Sequence, residues 1–419
     1  MISVITPHYE GTNPFIEETY RSLLKQTEED WEWVVVLNNG GILPQHILRD
    51  PKVRPVLFEG DPEKMTVGQL KRVACENAVG DILLELDADD MLTPDALGEV
   101  QRAFDESPEA SFVYSNSAQF QHGTWEASTY SEYWGWRSRE FKYEGHKLIE
   151  TVAFPATPAS MRMIYWAPNH VRAWRAEDYW LIGGHNESLQ LADDYDLCCR
   201  FYLHGKMKWI DKCLYLYRKH DANTCVVKNA DVQSNAWAVY SKYIFPIVEK
   251  WAREEGLKLI DLGAAHGKPD GYIGIDLEKT DIVANLEGGI PLEDDSCGIV
   301  RAYDVLEHLS DSVAIMNEIY RVLAPGGWLF LSVPSTEGRG AFQDPTHVSF
   351  WNSNSIWYYT NPQYAAFVPR IKCKFQVARV IDWFPSEFHR QHNILYLDAQ
   401  LIALKAPYHP VGETLWGRE

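Results

Sequence analysis

Leu83-Leu84-Glu85-Leu86-Asp87-Ala88-Asp89-Asp90 decides the fold of the first half of the chain, because an apolar strand here delivers three carboxylates to one point at its C-terminal end. Oxygen-only ligands suit hard divalent ions such as Mg²⁺ and Mn²⁺, and Mg²⁺ keeps coordination positions for water and substrate phosphates. A plainer reading makes the run an acidic strand-to-helix turn, with Asp90 or Thr93 capping a helix that begins near Pro94. The surroundings favour the first reading. Ile2-Ser3-Val4-Ile5-Thr6-Pro7 is an apolar strand that stops at a proline. An amphipathic helix is expected from about Pro14 to Gln26, with Ile16, Tyr20, Leu23 and Leu24 at helical spacing. A second strand, Trp33 to Leu37, ends in Asn38-Asn39-Gly40-Gly41. Strand, helix, strand predicts a parallel βαβ unit, whose ligands bind at the carboxyl ends of the strands. Thr6-Pro7, Asn38-Asn39 and Asp87 to Asp90 are therefore expected to meet in one crevice.

Ordered blocks then extend over about the first 225 residues. They include Ser22-Leu23-Leu24-Lys25-Gln26-Thr27, Trp31-Glu32-Trp33, Gly68-Gln69-Leu70-Lys71-Arg72-Val73-Ala74 and Gly80-Asp81. Beyond the acidic run come Gly183-Gly184-His185-Asn186-Glu187, Ala192-Asp193-Asp194-Tyr195-Asp196-Leu197 and Tyr217-Arg218-Lys219-His220. With these motifs the sequence resembles the inverting glycosyltransferase family 2, whose catalytic domain has the nucleotide-sugar-binding GT-A fold. The resemblance implies a nucleotide-sugar donor, a glycan or other hydroxyl acceptor, and Mn²⁺ or Mg²⁺ as cofactor. It places Asp87, with Ala88, near the donor ribose, and Asp89 on the metal that bridges the diphosphate. His220 corresponds to a histidine that completes the metal shell, with a plain structural role as the alternative. Asp194 matches the general base that takes the acceptor proton. Glu-Asp is the commoner pair there, and Asp193 keeps the charge; a neighbouring anion is expected to raise the base's pKa. An acid-rich helix N-terminus, favoured by the helix dipole, is the competing account of this pair.

Two departures bear on the donor. Many relatives read the nucleotide base with an aspartate where this chain has Asn38-Asn39, an amide that both accepts and donates. Thr6 and Pro7 border the same crevice. Lys71 and Arg72 are candidates for the diphosphate, or else solvated helix residues. Between Tyr114 and Trp180, Trp125, Tyr130, Tyr133, Trp134, Trp136, Phe141 and Tyr143 suit either core packing or a sugar acceptor, since aromatic faces with polar tips stack on sugars.

A second set of motifs follows a helical linker expected over 226–256. Leu259-Ile260-Asp261-Leu262-Gly263-Ala264-Ala265-His266-Gly267 runs from an apolar strand into a small-residue turn, and Tyr272-Ile273-Gly274-Ile275-Asp276 is the next strand. Small residues let backbone approach a ligand, and an acid ending the next strand suits ribose hydroxyls. Asp304-Val305-Leu306-Glu307-His308-Leu309 and Arg321-Val322-Leu323-Ala324-Pro325-Gly326-Gly327 come later. Over about residues 257–405 these resemble class I S-adenosylmethionine-dependent methyltransferases. The resemblance implies a Rossmann-like domain, an S-adenosylmethionine site at Asp261, Gly263, Gly267, Asp276, Asn285 and Asp304, and a closing hairpin from Val377 to Ile381 and Ile394 to Leu404. Residues 264 to 271, eight in all, are too few for the usual crossover helix, so the domain is expected in abbreviated form. Asp344-Pro345-Thr346-His347 falls where a substrate loop is expected, or forms a simple Asp-Pro turn. Residues 406–419 read as a tail.

The resulting expectation is an α/β chain with a GT-A domain over 1–225 and a methyltransferase-like domain over 257–405. Its function would be metal-dependent inverting sugar transfer with a second methyl transfer to a glycan or related product. The alternative is a monofunctional glycosyltransferase whose second module serves assembly or acceptor binding. Composition is consistent with this. The 419 residues allow two or three domains, and 39 basic against 59 acidic side chains give a net charge of −20. That balance opposes nonspecific binding to nucleic acid or anionic membranes. No apolar run approaches a membrane span and the first strand starts at Ile2, so a cytoplasmic chain is expected. Seven cysteines without Cys-x-x-Cys spacing argue against a disulfide scaffold and a zinc cluster.

Overall fold

Strands β1 (Ile2–His8), β2 (Trp31–Leu37), β3 (Val53–Leu57) and β4 (Ile82–Glu85) form the parallel half of the N-terminal sheet, in the order β3-β2-β1-β4. The near-continuous apolar runs of β1, β2 and β4 follow from burial on both faces, while the edge strand β3 is largely exposed. One face is covered by α1 (Ile16–Leu24), which buries Ile16, Tyr20 and Leu23. Helix α2 (Val67–Asn77) begins where the Thr66 hydroxyl accepts a hydrogen bond from Gln69 N at 3.0 Å. In this computed structural model, all residues are described except 59, 61–64, 164–165, 222, 224–226, 265–266 and 417–419.

The same sheet continues with strands of mixed direction. Strand β5 (Met91–Leu92) leads into α3 (Ala96–Glu106) and the long β6 (Ala110–Gln121). Short β7 (Ala127–Ser128) and the hairpin β8 (Arg137–Tyr143) and β9 (His146–Val152) flank β6. Strand β10 (Arg172–Arg175) pairs antiparallel with both β4 and β6, and β11 (Lys206–Lys219) runs parallel to β6. Helix α4 (Asp193–His204) lies between β10 and β11 in sequence. The aromatic insert divides: Trp125 stacks between Phe120 and His146 at 4.4 and 4.2 Å and Trp136 and Tyr143 are buried, whereas Tyr133 and Trp134 are exposed.

The chain divides into two units, Met1–Glu132 with Trp136–Ile244, and Tyr133–Gly135 with Phe245–Glu419. Helix α5 (Asn229–Glu254) contains Pro246 and occupies most of the stretch read as a linker. In the second unit β12 (Lys258–Leu262), β13 (Ile273–Asp276), β14 (Ile282–Val283), β15 (Cys297–Tyr303) and β16 (Leu323–Pro334) are parallel, and β17 (Phe375–Trp383) and β18 (Tyr396–Ala403) close the sheet as an antiparallel hairpin. Helix α6 (Ser312–Val322) joins β15 to β16. The order β14-β13-β12-β15-β16-β18-β17 places a switch point between β12 and β15, where open α/β sheets form their ligand crevice. Among the described residues, no α-helix connects β12 to β13. Residues read as a tail are docked: Gln376 Nε2 donates to Val411 O and Glu413 O at 2.9 and 2.7 Å. No helix among the described residues is long and apolar enough to cross a membrane.

Candidate functional site

Glu85, the last residue of β4, carries a carboxylate into an apolar layer, and the fold answers it with two buried cations. Lys71 on α2 pairs with Glu85 and lies 3.7 Å from Asp193. Arg172 on β10 sits 3.6 Å from Glu85 and donates from Nη1 to Asp194 Oδ2 at 2.8 Å. One guanidinium thus ties the strand that carries the acidic run to the helix that carries the Asp193-Asp194 pair. Burial works against the charge on Lys71, but Asp193 and Glu85 outweigh it and hold the amine well above its ordinary pKa. His170 lends its ring to Arg172 Nη2 at 2.7 Å and stacks on Tyr215 at 4.5 Å. Burial, reinforced by Arg172, lowers its pKa to about 3 and keeps it neutral.

The two aspartates at the start of α4 are unlike. Asp193 has a side chain 7% exposed and Asp194 27%, so Asp194 is the more accessible of the two. Burial pushes Asp193 up to about 6. Burial also raises Asp194, but Arg172 and Lys71 outweigh it and leave its carboxyl below the ordinary value. The expectation that Asp193 would raise the base is therefore corrected: the adjacent guanidinium is nearer than any uncompensated anion. Asp194 Oδ1 additionally accepts from Tyr195 N at 2.8 Å, as a carboxylate at a helix N-terminus does.

The acidic run itself splits into three roles. Asp90 is buried and accepts from Tyr215 OH at 2.8 Å and Arg218 N at 2.6 Å, fastening β11 to the end of β4. Neither it nor Thr93 caps a helix; Thr93 Oγ1 donates to Asp95 instead. Asp89 meets His220 at 2.8 Å between Oδ2 and Nε2, and His220 stacks on Phe15 at 4.8 Å. This carboxylate and imidazole converge as two ligands of one hard or borderline cation would, leaving coordination positions for phosphate oxygens. Asp87 is half-buried; burial and repulsion from Glu85 and Asp89 outweigh Lys71 and push its pKa to about 7. Ala88 is buried, its carbonyl held by Thr19 Oγ1 at 2.9 Å.

Other expected donor residues fare unequally. Asn38 is buried with Nδ2 donating to His8 O at 2.9 Å, and its Oδ1 has no hydrogen-bond partner among the described residues. Asn39 is exposed with φ 37°. Pro7 is half-buried inside β1, which continues to His8 and does not stop at the proline as expected. The Thr6 hydroxyl is committed, donating to Leu86 O at 2.7 Å and accepting from Trp33 Nε1 at 2.8 Å. Of Lys71 and Arg72, expected as diphosphate ligands or solvated residues, Lys71 is buried and Arg72 is a partly exposed helix residue. Lys71 is spent on Glu85 and Asp193, while Arg72 pairs with Glu76 and Glu187 and donates to Gly183 O at 2.7 Å. Sequence reasoning missed Arg172 altogether. A signal existed: a glutamate inside Leu83-Leu84-Glu85-Leu86 requires a buried partner, because an unpaired buried charge is costly.

In the second unit the expected cofactor residues gather at the carboxyl edge of the sheet. Gly263 follows β12 with φ +76°, and a Cβ there would meet Val305 at 2.8 Å, so the ends of β12 and β15 close on each other at the switch point. Gly267 has φ +125°, and among the described residues nothing lies within 4 Å of where a Cβ would stand. Asp276 ends β13 half-buried and accepts from Leu277 N at 2.6 Å. Asn285 is exposed and accepts from Glu287 N at 3.0 Å. Asp304 is exposed with φ 51° just past β15. Asp261 departs from the expectation: it is buried inside β12, and both its oxygens accept from Arg301 Nη1 at 2.8 Å, so it serves the sheet and not an open crevice. Ala265 and His266 lie outside the described residues.

Comparison with known proteins agrees with this division. The family model "Glycosyl transferase family 2" matches residues 3–166, and a "Methyltransferase domain" model matches residues 260–331. Chondroitin synthase of Escherichia coli is 26% identical over 239 residues, covering 56% of this chain and 31% of that protein. Hyaluronan synthase of Pasteurella multocida is 27% identical over 248 residues, covering 58% of this chain and 23% of that protein. A probable S-adenosylmethionine-dependent methyltransferase of Mycolicibacterium smegmatis is 34% identical over 71 residues, covering 16% of this chain and 28% of that protein. The chain thus spans about a third or less of the length of these curated relatives. Among solved structures, S. aureus TarS in complex with UDP-GlcNAc aligns with TM-score 0.44 and 18% identity over 61% of this chain and 72% of that one. The chain carries a family 2 glycosyltransferase domain followed by a methyltransferase domain.

Proposed function

We propose that the N-terminal unit moves a sugar from a nucleotide-diphosphate donor to a hydroxyl acceptor with inversion, assisted by Mn²⁺ or Mg²⁺, and that the C-terminal unit transfers a methyl group from S-adenosylmethionine to a glycan or related product. The observation that carries the first part is the Arg172 bridge, which holds Asp194 beside the strand whose end presents Asp87 and Asp89. Relatives named chondroitin synthase and hyaluronan synthase favour a glycan acceptor.

The roles follow from the chemistry of each group. Asn38 Oδ1 accepts a hydrogen bond from a base N–H, which relieves a buried oxygen otherwise lacking a partner. Asp87 holds ribose hydroxyls. Asp89 and His220 would hold the divalent cation, which would supply positive charge to offset that of the departing diphosphate. Asp194, kept ionised by Arg172, takes the acceptor's proton as its oxygen bonds to the anomeric carbon and the bond from that carbon to the diphosphate breaks. Asp193 and Lys71 stay behind this layer and fix its geometry. The test is calorimetry of nucleoside diphosphates with and without Mn²⁺: Asp89→Ala should abolish the metal-dependent part of binding while the fold is retained. Unchanged metal-dependent affinity would remove Asp89 from the site.

For the second unit a different reading, an inactive module that supports assembly or acceptor binding, is favoured by two features. Asp261 is sequestered by Arg301, and among the described residues no crossover helix offers its N-terminus to the β12 turn. S-adenosylmethionine binding by the full chain separates the readings. Saturable binding that weakens on Asp276→Ala supports methyl transfer, and no binding at millimolar cofactor supports the inactive module.

A further inference from the structure

Beyond the strand ends, one cluster in the second unit is used by neither reaction. Glu307 lies in the helical turn Leu306–His308 after β15, and His347 lies in the Asp344-Pro345-Thr346-His347 loop after β16. One ligand atom each from Glu307, His308 and His347 lies within 4.8 Å of the other two. We propose that these three side chains bind one divalent transition-metal ion, with open coordination positions that accept oxygen ligands from solvent or an acceptor.

Two independent features point to a ligand. Glu307 is 2% exposed, yet its Oε2 has no hydrogen-bond partner among the described residues. A buried carboxylate oxygen left this way is costly unless a cation or donor meets it. The histidines, moreover, are oriented from behind. His347 Nδ1 faces Ala341 O at 3.1 Å and His308 Nδ1 faces Thr346 O at 3.3 Å. A carbonyl only accepts, and Thr346 Oγ1, 3.1 Å from His308 Nδ1, gives its own proton to Asp344, so these contacts favour the tautomer with the proton on Nδ1 and the lone pair on Nε2, the arrangement by which metal-ligating imidazoles are held. Thr346 is itself fixed, with N and Oγ1 donating to Asp344 Oδ1 at 2.8 and 2.6 Å. The ring centroids of His308 and His347 are 5.0 Å apart at 71°, which lets both nitrogens approach one point.

Two imidazoles and one carboxylate select a borderline ion such as Zn²⁺, Fe²⁺ or Co²⁺ over Ca²⁺ or Mg²⁺, which prefer all-oxygen sites. Metal-ligand distances of about 2.0–2.2 Å require the three groups to draw together slightly. His308 is exposed, so the ion's outer face meets solvent. Glu307 stands three residues past Asp304, which places the site on the rim of the switch-point crevice.

The test is calorimetric titration of chelator-treated, full-length protein with Zn²⁺ alone, in an Asp89→Ala/His220→Ala background that silences the N-terminal pair. One equivalent should bind, and His347→Ala or His308→Ala should each weaken it by roughly tenfold or more. These histidines are exposed or half-buried, and far-UV circular dichroism verifies the fold; Glu307→Gln, which keeps the shape, should weaken Zn²⁺ comparably. No binding at about 100 µM Zn²⁺, or affinity unchanged in both histidine variants, overturns the site.

Discussion

The two strand-end sites differ in how their charges are settled. At the end of β4, buried Glu85 and Asp193 are met by buried Lys71 and Arg172, so the carboxylates of the proposed site, Asp87, Asp89 and Asp194, adjoin a braced layer. At the end of β12, β13 and β15, Asp276 is half-buried and Asp304 exposed; the buried acid, Asp261, is already neutralised by Arg301. A site braced from behind is organised before its ligand arrives. One made of exposed strand ends depends on the ligand to order it, and gains less from each residue.

That contrast is sharpened first by the reaction itself. Asp194→Asn should leave donor binding intact and slow sugar transfer by roughly two to four orders of magnitude, read as kcat with saturating donor. Near-normal turnover would place the base elsewhere. Next, removing one brace should expose its cost: Lys71→Ala leaves Glu85 and Asp193 facing each other and should destabilise the N-terminal unit by roughly 3–5 kcal/mol in urea unfolding. A loss under about 1 kcal/mol would mean the layer is not braced by this pair.

On the open side the effects should be smaller. Asp276→Ala should weaken S-adenosylmethionine binding to the full chain by roughly 1.5–3 kcal/mol, the scale of a hydrogen bond to a charged group. The smallest effect concerns pH. The Asp87 carboxyl stands at about 7 in the folded chain against an ordinary 3.8, so the folded state binds the extra proton between those values. Its contribution to stability is greatest at the acid end of that window and is lost as pH rises to about 7. Asp87→Asn should therefore raise the Tm of the metal-free protein at pH 8 by a few degrees, roughly 2–6 °C, with little change at pH 4. An equal shift at both pH values would break the link to this carboxyl.

Much of this was legible because local patterns repeat a physical need. Apolar runs such as Trp33 to Leu37 belong to strands buried on both faces, and their alternation with α1 and α2 leaves few parallel topologies. The short span between Gly263 and Tyr272 likewise excluded a crossover helix on length alone. Asp89 and His220, 131 residues apart, were brought together only by a motif resemblance, and the fold sets them 2.8 Å from each other. What the sequence left open were the partners of charges. Lys71 and Arg72 are adjacent cations on one helix, yet one is buried against carboxylates and the other spans a surface loop.

The sequence by itself determined the order of the two α/β units, the strands that end in acids, and which residue types stand at those ends, because period, length and chain reach are properties of short segments. Only the tertiary structure decided that Arg172 holds Asp194 ionised, that Asp90 and Thr6 belong to the scaffold, and that Glu307, His308 and His347 converge. Those outcomes depend on which distant side chain fills a low-dielectric space first, and burial with its charge partners is fixed only when the sheets have formed.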